Sequence, residues 1–124
     1  MELLHKDITG KILEAYYEVY NYFGFGFLEK VYENSLYYLL SDYGLKVQQQ
    51  APIDVYFKKW RVGEYFADLL VEDKIIIELK ATRVLAEEHE YQLINYLKAT
   101  KIELGLLLNF GKTAEFKRKI FSNI

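Results

Sequence analysis

Three consecutive β-branched apolar residues, Ile75-Ile76-Ile77, running into Glu78-Leu79-Lys80, constrain the fold of this chain more than any other segment. A strand with one wet face alternates apolar and polar residues, so an uninterrupted apolar run marks a strand covered on both faces. Such a sheet needs helices layered against it. At 124 residues, the chain fits a single domain spanning 1–124 and buries about two-thirds of its unfolded surface. With 52% apolar and 27% charged residues, intrinsic disorder is excluded.

The chain on either side supplies those layers. Ile8, Ile12, Ala15, Val19 and Phe23 recur at three- and four-residue steps, one stripe of an amphipathic helix that Gly24-Phe25-Gly26 ends. A second helix is expected over 28–43, with Val31, Ser35, Leu36, Leu39 and Leu40 inward and Gly44 as its stop. The doublets Tyr16-Tyr17 and Tyr37-Tyr38 put rings on more than one helical face, as partly exposed tyrosine or as a homodimer surface. Strands are then expected over 46–51 and 53–57 around Pro52, over 62–71, and over 74–81 after a tight hairpin at Glu72-Asp73. Lys58-Lys59-Trp60 reads as a turn. A third helix over 85–100, with Leu93, Ile94 and Leu97 inward, precedes a last strand over 104–109 and a polar ending from Gly111. The expected fold class is α/β (α+β), with a mixed central sheet flanked by helices.

Several function classes fall away on composition. There are no cysteines and only two histidines, which removes disulfide scaffolds, thiolate zinc sites and Cys nucleophiles. The longest uncharged stretch, Val19 to Leu28, is ten residues, half of what a bilayer requires. The start, Met1 to Asp7, carries early acids and no signal-peptide apolar region. A soluble cytoplasmic domain that does not enter a membrane is expected. The net charge of −2 is uneven: residues 1–111 hold 12 basic and 17 acidic side chains, whereas 112–124 hold four basic and one acidic.

Chemistry enters with charges where the pattern demands apolar residues. Period two puts Glu78 and Lys80 on one face of the buried strand, and Asp68 interrupts Phe66-Ala67-Asp68-Leu69-Leu70-Val71 one hairpin earlier. A carboxylate in such surroundings must be paired, neutralised or bound to a metal. Two readings are open on these three residues. One is a divalent cation between the acids, for which Mg²⁺ takes one or two carboxylates with water and phosphate completing the shell. The other is a buried Asp–Lys–Glu salt bridge that fixes hairpin register.

Asp68, nine intervening residues, then Glu78-Leu79-Lys80 resembles the D…ExK pattern of the PD-(D/E)XK nuclease superfamily. Gln92-Leu93-Ile94-Asn95-Tyr96 is similar to the QxxxY helix motif of its RecB-type members. Gly26-Phe27-Leu28-Glu29-Lys30-Val31-Tyr32 resembles the motif that names the GxxExxY protein family within that superfamily. Asn95 to Thr100 and Leu104 to Gly111 resemble that family as well, so the similarity runs through nearly the whole chain in order.

The resemblance implies a restriction-endonuclease-like core and a nuclease that hydrolyses phosphodiester bonds of nucleic acid, DNA before RNA, with Mg²⁺ or Mn²⁺. It implies Asp68 and Glu78 as metal ligands, the Leu79 carbonyl as a third oxygen, and Lys80 as the catalytic lysine. Glu29 would be the first-helix acid that completes the site, with Glu33, one turn on, the second choice. Gln92 and Tyr96 would contact the phosphate backbone or hold Lys80, and His89 could line the same face. Competing readings of these residues are plain: Glu29 and Glu33 also suit a helix start, and Gln92 and Tyr96 could simply cover the sheet. Arg118 could touch phosphate or belong to a solvated tail. Setting Glu29, Glu33, Asp68 and Glu78 aside leaves 12 basic against 13 acidic residues in 1–111, as a cation site would require. Lys58, Lys59, Arg61 and the basic tail could supply sequence-independent phosphate contacts. Two alternatives to a free-standing nuclease are a catalytically weak module of the same fold that binds nucleic acid or protein, and a junction-resolving homodimer.

Overall fold

A computed structural model describes residues 4–122; Met1 to Leu3, part of the segment read above for signal-peptide character, lie outside the described residues. Two helices, α1 (Lys6–Phe23) and α2 (Glu29–Asp42), precede three strands, β1 (Val47–Phe57), β2 (Trp60–Val71) and β3 (Ile75–Lys80). Helix α3 (Glu87–Ala99) then leads to β4 (Leu104–Phe110) and β5 (Ala114–Ile120). The strands form one mixed sheet in chain order, β1-β2-β3-β4-β5. All neighbours are antiparallel except β3 and β4. A parallel neighbour needs a crossover, and α3 supplies it.

The isoleucine run of β3 behaves as a doubly covered strand must. Ile75, Ile77 and Leu79 join Ile12, Tyr16, Leu36 and Leu40 in a core under α1 and α2, while Ile76 faces Leu93 and Leu97 of α3. Each such aliphatic side chain contributes about 1.5–3 kcal/mol by leaving water. Gly105 of β4 lets α3 approach: a Cβ there would lie 2.6 Å from Leu93 Cδ1. The β2–β3 connection is three residues long: Glu72 and Asp73 both adopt positive φ, 54° and 55°, and the Lys74 N–H donates to the Val71 carbonyl at 2.9 Å, the backbone of a type I′ turn.

Several expectations need correction. The strands expected over 46–51 and 53–57 are one, Val47–Phe57, because Pro52 lies on the sheet's outer strand, where its missing N–H breaks no ladder. Trp60 opens β2 instead of closing the turn. In α2 the buried residues are Tyr32, Glu33, Leu36 and Leu40, so Val31, Ser35 and Leu39 are only half-buried. In α3, Tyr96 replaces Ile94 in the core. The polar ending is a strand: Ala114-Glu115-Phe116-Lys117-Arg118-Lys119-Ile120 pairs along the whole of β4. An edge strand is half-wet on both faces and carries charge, which discourages pairing with other chains, so it lacks the alternation by which strands are read. Each tyrosine doublet sends one ring inward: Tyr16 is buried and Tyr17 exposed, Tyr37 half-buried and Tyr38 exposed. No described helix is long and apolar enough to cross a membrane.

Candidate active site

The β2–β3 ladder pairs Val71 with Ile75, Leu70 with Ile76 and Leu69 with Ile77, and there it stops. One residue further along each strand stand Asp68 and Glu78. Their side chains take over the hydrogen bonds that the parted backbones no longer make: the Asp68 N–H donates to Glu78 Oε2 at 2.9 Å, and the Leu79 N–H donates to Asp68 Oδ2 at 2.8 Å. Buried backbone donors must find acceptors, so the split in the sheet and the two carboxylates hold each other in place. Glu78 is buried, whereas Asp68 is half-exposed. Burial first, and the Asp68 charge second, push the Glu78 carboxyl up to about 9, against the opposing pull of the Asp68 N–H and Lys80. Glu78 therefore holds a proton at neutral pH unless a cation replaces it.

Position 68 is also where the β1–β2 hairpin changes sides. Ala51, Ile53 and Ala67 pack toward α3, yet Val47, Leu69 and Val71, an even number of residues away, pack toward α1 and α2. Regular pleating would put all of them on one face. The reversal falls at Gln50 and Asp68, which are skipped between the pairs Gln49–Leu69 and Ala51–Ala67, and Gln50 has φ of 50°. That left-handed backbone is uncommon for a residue with a side chain. It accompanies a bridging amide: Gln50 Nε2 donates to Glu33 Oε1 at 2.8 Å and to Asp68 Oδ1 at 3.3 Å. Glu33 is buried and saturated, since its other oxygen accepts from Lys30 Nζ and Gln49 Nε2, both at 2.8 Å.

Glu29 stands one helical turn before Glu33, exposed at the mouth of the site. Neighbouring protein still removes enough water to raise its pKa; Lys80 and His89 pull it down, while Asp68 and Glu33 push it up. Glu29 thus shares one electrostatic neighbourhood with the acids of the sheet. His89 also has a structural task, as its Nδ1 accepts the Ala86 N–H at 3.2 Å at the start of α3. Lys80 is half-exposed and, among the described residues, forms an ion pair with neither Asp68 nor Glu78. A contact Asp–Lys–Glu salt bridge is therefore not what holds this hairpin. Beside Lys80 in the β3–β4 register lies Asn109, a buried amide that grips the exit of β3. Its Oδ1 accepts the Thr82 N–H at 3.0 Å and its Nδ2 donates to the Thr82 carbonyl at 2.9 Å.

Tyr96 reaches the site from α3. Burial, then the charges of Glu78 and Asp68, push its hydroxyl up to about 12. Gln92, one turn earlier, is half-buried on the same helical face, and both line a groove between α3 and the β1–β2 hairpin. Arg118 is not brought to this cluster. Its Nη2 donates to the Leu4 carbonyl at 2.9 Å and its buried Nε has no partner among the described residues, so it ties β5 to the start of the described chain. The sequence reading missed Gln49, Gln50 and Asn109 as parts of the site. The only sequence signal for Gln50 was a polar residue just before the hairpin's apolar positions 51 and 53, which is ordinary for a strand.

Among the described residues, no three His, Cys, Asp or Glu side chains form a metal-holding cage. What converges is a pair of carboxylates with a third nearby. Such an all-oxygen donor set suits Mg²⁺ or Mn²⁺, which retain several waters and need only one or two protein carboxylates.

A solved structure, that of SSO0001, aligns over 77% of this chain and 52% of its own with a TM-score of 0.56 and 16% identity. The likeness is one of fold, and this chain spans about half the length of that one. No curated protein matches the chain. A family model described as the PD-(D/E)XK nuclease superfamily matches residues 6–120. The mixed five-stranded sheet with its three helices is the restriction-endonuclease-like architecture expected of that group. On a match that covers nearly its whole length, the chain belongs to the PD-(D/E)XK nuclease superfamily.

Proposed function

We propose that this chain is a divalent-metal-dependent nuclease of the GxxExxY type, with a RecB-like QxxxY helix, that hydrolyses phosphodiester bonds of nucleic acid, DNA before RNA. One observation carries the reading. Asp68 and Glu78 meet where β2 and β3 part, each accepting a backbone N–H of the other's strand, beside a lysine that forms an ion pair with neither. A single acceptor would be enough for each of these N–H groups, whereas two acids side by side, one of them held protonated by burial, leave further oxygens for a cation.

Asp68, Glu78 and the Leu79 carbonyl are the residues that would hold Mg²⁺ or Mn²⁺, with Glu29 closing the site from α2. The ion would polarise the scissile phosphate and make its water a better nucleophile at neutral pH. Glu78 would have to release its proton to hold the ion, so binding should tighten as pH rises. Lys80, uncommitted to either acid, orients the attacking water and offsets charge that develops on the phosphate. Gln50 and Asn109 act through these groups, the first by steadying Asp68 and the second by fixing the chain beyond Lys80. Tyr96 and Gln92, which line the adjoining groove, would contact the nucleic acid next to the scissile phosphate.

The test is cleavage of end-labelled DNA and RNA with Mn²⁺ or Mg²⁺ by wild type, Asp68→Asn, Glu78→Gln and Lys80→Ala. Each substitution should lower the rate by about 10²-fold or more, the size expected when a charge-stabilising group is removed. Wild-type rates in Asp68→Asn and Lys80→Ala would overturn the assignment.

A further inference from the structure

The groove between α3 and the hairpin has a volume of about 730 Å³, within the ~300–1,000 Å³ typical of ligand sites. Its walls are mostly aromatic and amide, Tyr56 and Tyr65 from the hairpin and Tyr91, Gln92, Asn95 and Tyr96 from α3, with one carboxylate, Glu88, among them. Tyr56 and Tyr91 are each 60% exposed. The Tyr65 and Tyr96 rings lie 5.6 Å apart, and Tyr96 is the residue that also feels the Asp68 and Glu78 charges. Tyr96 also packs in one buried cluster with Ala67 and Ile76, beside Asp68 and on the Glu78 face of β3, so the groove adjoins the candidate active site. The amides of Gln92 and Asn95 make no hydrogen bond among the described residues. The one register shift in the β1–β2 ladder falls at Val55/Tyr56, the two β1 residues that line the groove, and such irregularities re-aim side chains beside binding sites.

Cations continue the surface. Lys98 lines the groove and lies over the Phe121 ring at 5.7 Å. At the hairpin tip beyond Tyr56, Phe57 stacks on Trp60, with Lys58 and Lys59 over those rings at 5.6 and 5.5 Å. Among the described residues none of these three lysines takes part in an ion pair, whereas neighbouring Arg61 is committed to Asp54 and Glu64. Exposed ring faces interleaved with unpaired cations are what a single strand requires: bases stack on the rings and the backbone runs along the positive charge. An intact duplex has no free base faces to offer them. Unpaired hydrogen-bonding amides suit base edges, which an extended strand leaves open.

We infer that this groove binds unpaired nucleobases, and that the substrate of the candidate site is a single strand or a single-stranded stretch of a longer nucleic acid. The inference rests on the nuclease reading for the identity of its ligand, but its test does not require cleavage. With EDTA present, binding of a fluorescein-labelled oligothymidylate of about 12 nucleotides is followed by anisotropy beside a duplex of equal length. The single strand should bind more tightly. Tyr56→Ala and Tyr91→Ala should each weaken it by about 5- to 150-fold, the range for loss of one stacked base, with circular dichroism unchanged because both rings are exposed. Tyr91→Phe should retain most of the affinity.

Equal affinity for the duplex, or oligothymidylate binding that both alanine variants preserve, overturns the inference. So does a concentration-dependent dimer that Tyr91→Ala abolishes in a protein that ignores the oligonucleotide, which would assign the groove to a second copy of the chain. Failure of the nuclease reading looks different: ring-dependent binding of the single strand, with no metal-dependent cleavage that Asp68→Asn removes, leaves the groove inference standing alone.

Discussion

Replacing Glu78 with Gln should make the metal-free protein more stable at neutral pH, although it deletes a charged residue from the centre of the candidate site. Glu78 has its pKa raised from 4.5 to about 9 by burial and by Asp68. Below pH 4.5 the folded and unfolded chains both carry the proton, and the full stability is present. As pH rises the unfolded chain releases the proton first, so stability falls until the folded group also ionises near 9. At about 1.4 kcal/mol for each pH unit, holding that proton at about pH 8 costs up to about 5 kcal/mol, and relaxation of the site brings the expected figure to about 2–5 kcal/mol. Glutamine resembles the neutral acid and keeps an oxygen for the Asp68 N–H, so the variant escapes this loss. Urea unfolding in EDTA should show the two proteins equal near pH 5 and the variant ahead by about 2–5 kcal/mol near pH 8. Mn²⁺ should narrow the gap, since wild type gains about 2.7 kcal/mol at a hundred times its Kd and the variant gains little. A variant that is less stable than wild type by the same margin at both pH values, with or without Mn²⁺, would refute the reasoning. Glu78 would then be an ionised, satisfied structural group.

Three further outcomes follow from the same contacts. Gln50→Leu removes the amide that joins Glu33 to Asp68 and should destabilise by about 1–3 kcal/mol; thermal melts with and without Mn²⁺ should also show a smaller metal-induced shift than wild type. Gly105→Ala places a methyl 2.6 Å from Leu93 Cδ1 and 2.9 Å from its Cγ. Urea unfolding should register a loss of about 1–3 kcal/mol from overpacking, partly recovered when Leu93 is shortened to Val. Tyr16→Phe deletes a buried hydroxyl that donates to the Asn109 carbonyl and accepts the Glu115 N–H at 2.9 Å. The same assay should show a loss of about 1–3 kcal/mol, with metal-dependent cleavage falling far less than in Asp68→Asn because Tyr16 hydrogen-bonds main-chain groups and neither Asp68 nor Glu78.

The two α-helices at the start, the apolar β3 and its hairpin were legible in the sequence because they depend on local periodicity and turn chemistry. The Ile75-Ile76-Ile77 run demands cover on both faces whatever the order of the strands. The spacing of Asp68, Glu78 and Lys80 was equally legible, because charges inside apolar runs are conspicuous. β5 was not, since an edge strand is shaped by the neighbour it pairs with and not by an alternation of its own.

What the sequence determined by itself is the pair of covered sheet faces, the helices that cover them and the three charges that break an apolar pattern. Tertiary structure decided what those charges touch. It parts β2 from β3 at Leu69 and Ile77, so that Asp68 and Glu78 exchange backbone hydrogen bonds while Lys80 pairs with neither. It also turns the hairpin over at Gln50, which brings a glutamine 18 residues away in the chain to bridge Asp68 and the α2 carboxylate Glu33. It sends Arg118 to the Leu4 carbonyl and sets Tyr56, Tyr65, Tyr91 and Tyr96 around one groove. Periodicity reports which way a side chain faces along its own element. Where two elements diverge, reverse or close on each other depends on packing between residues far apart in sequence, and that is where this site is made.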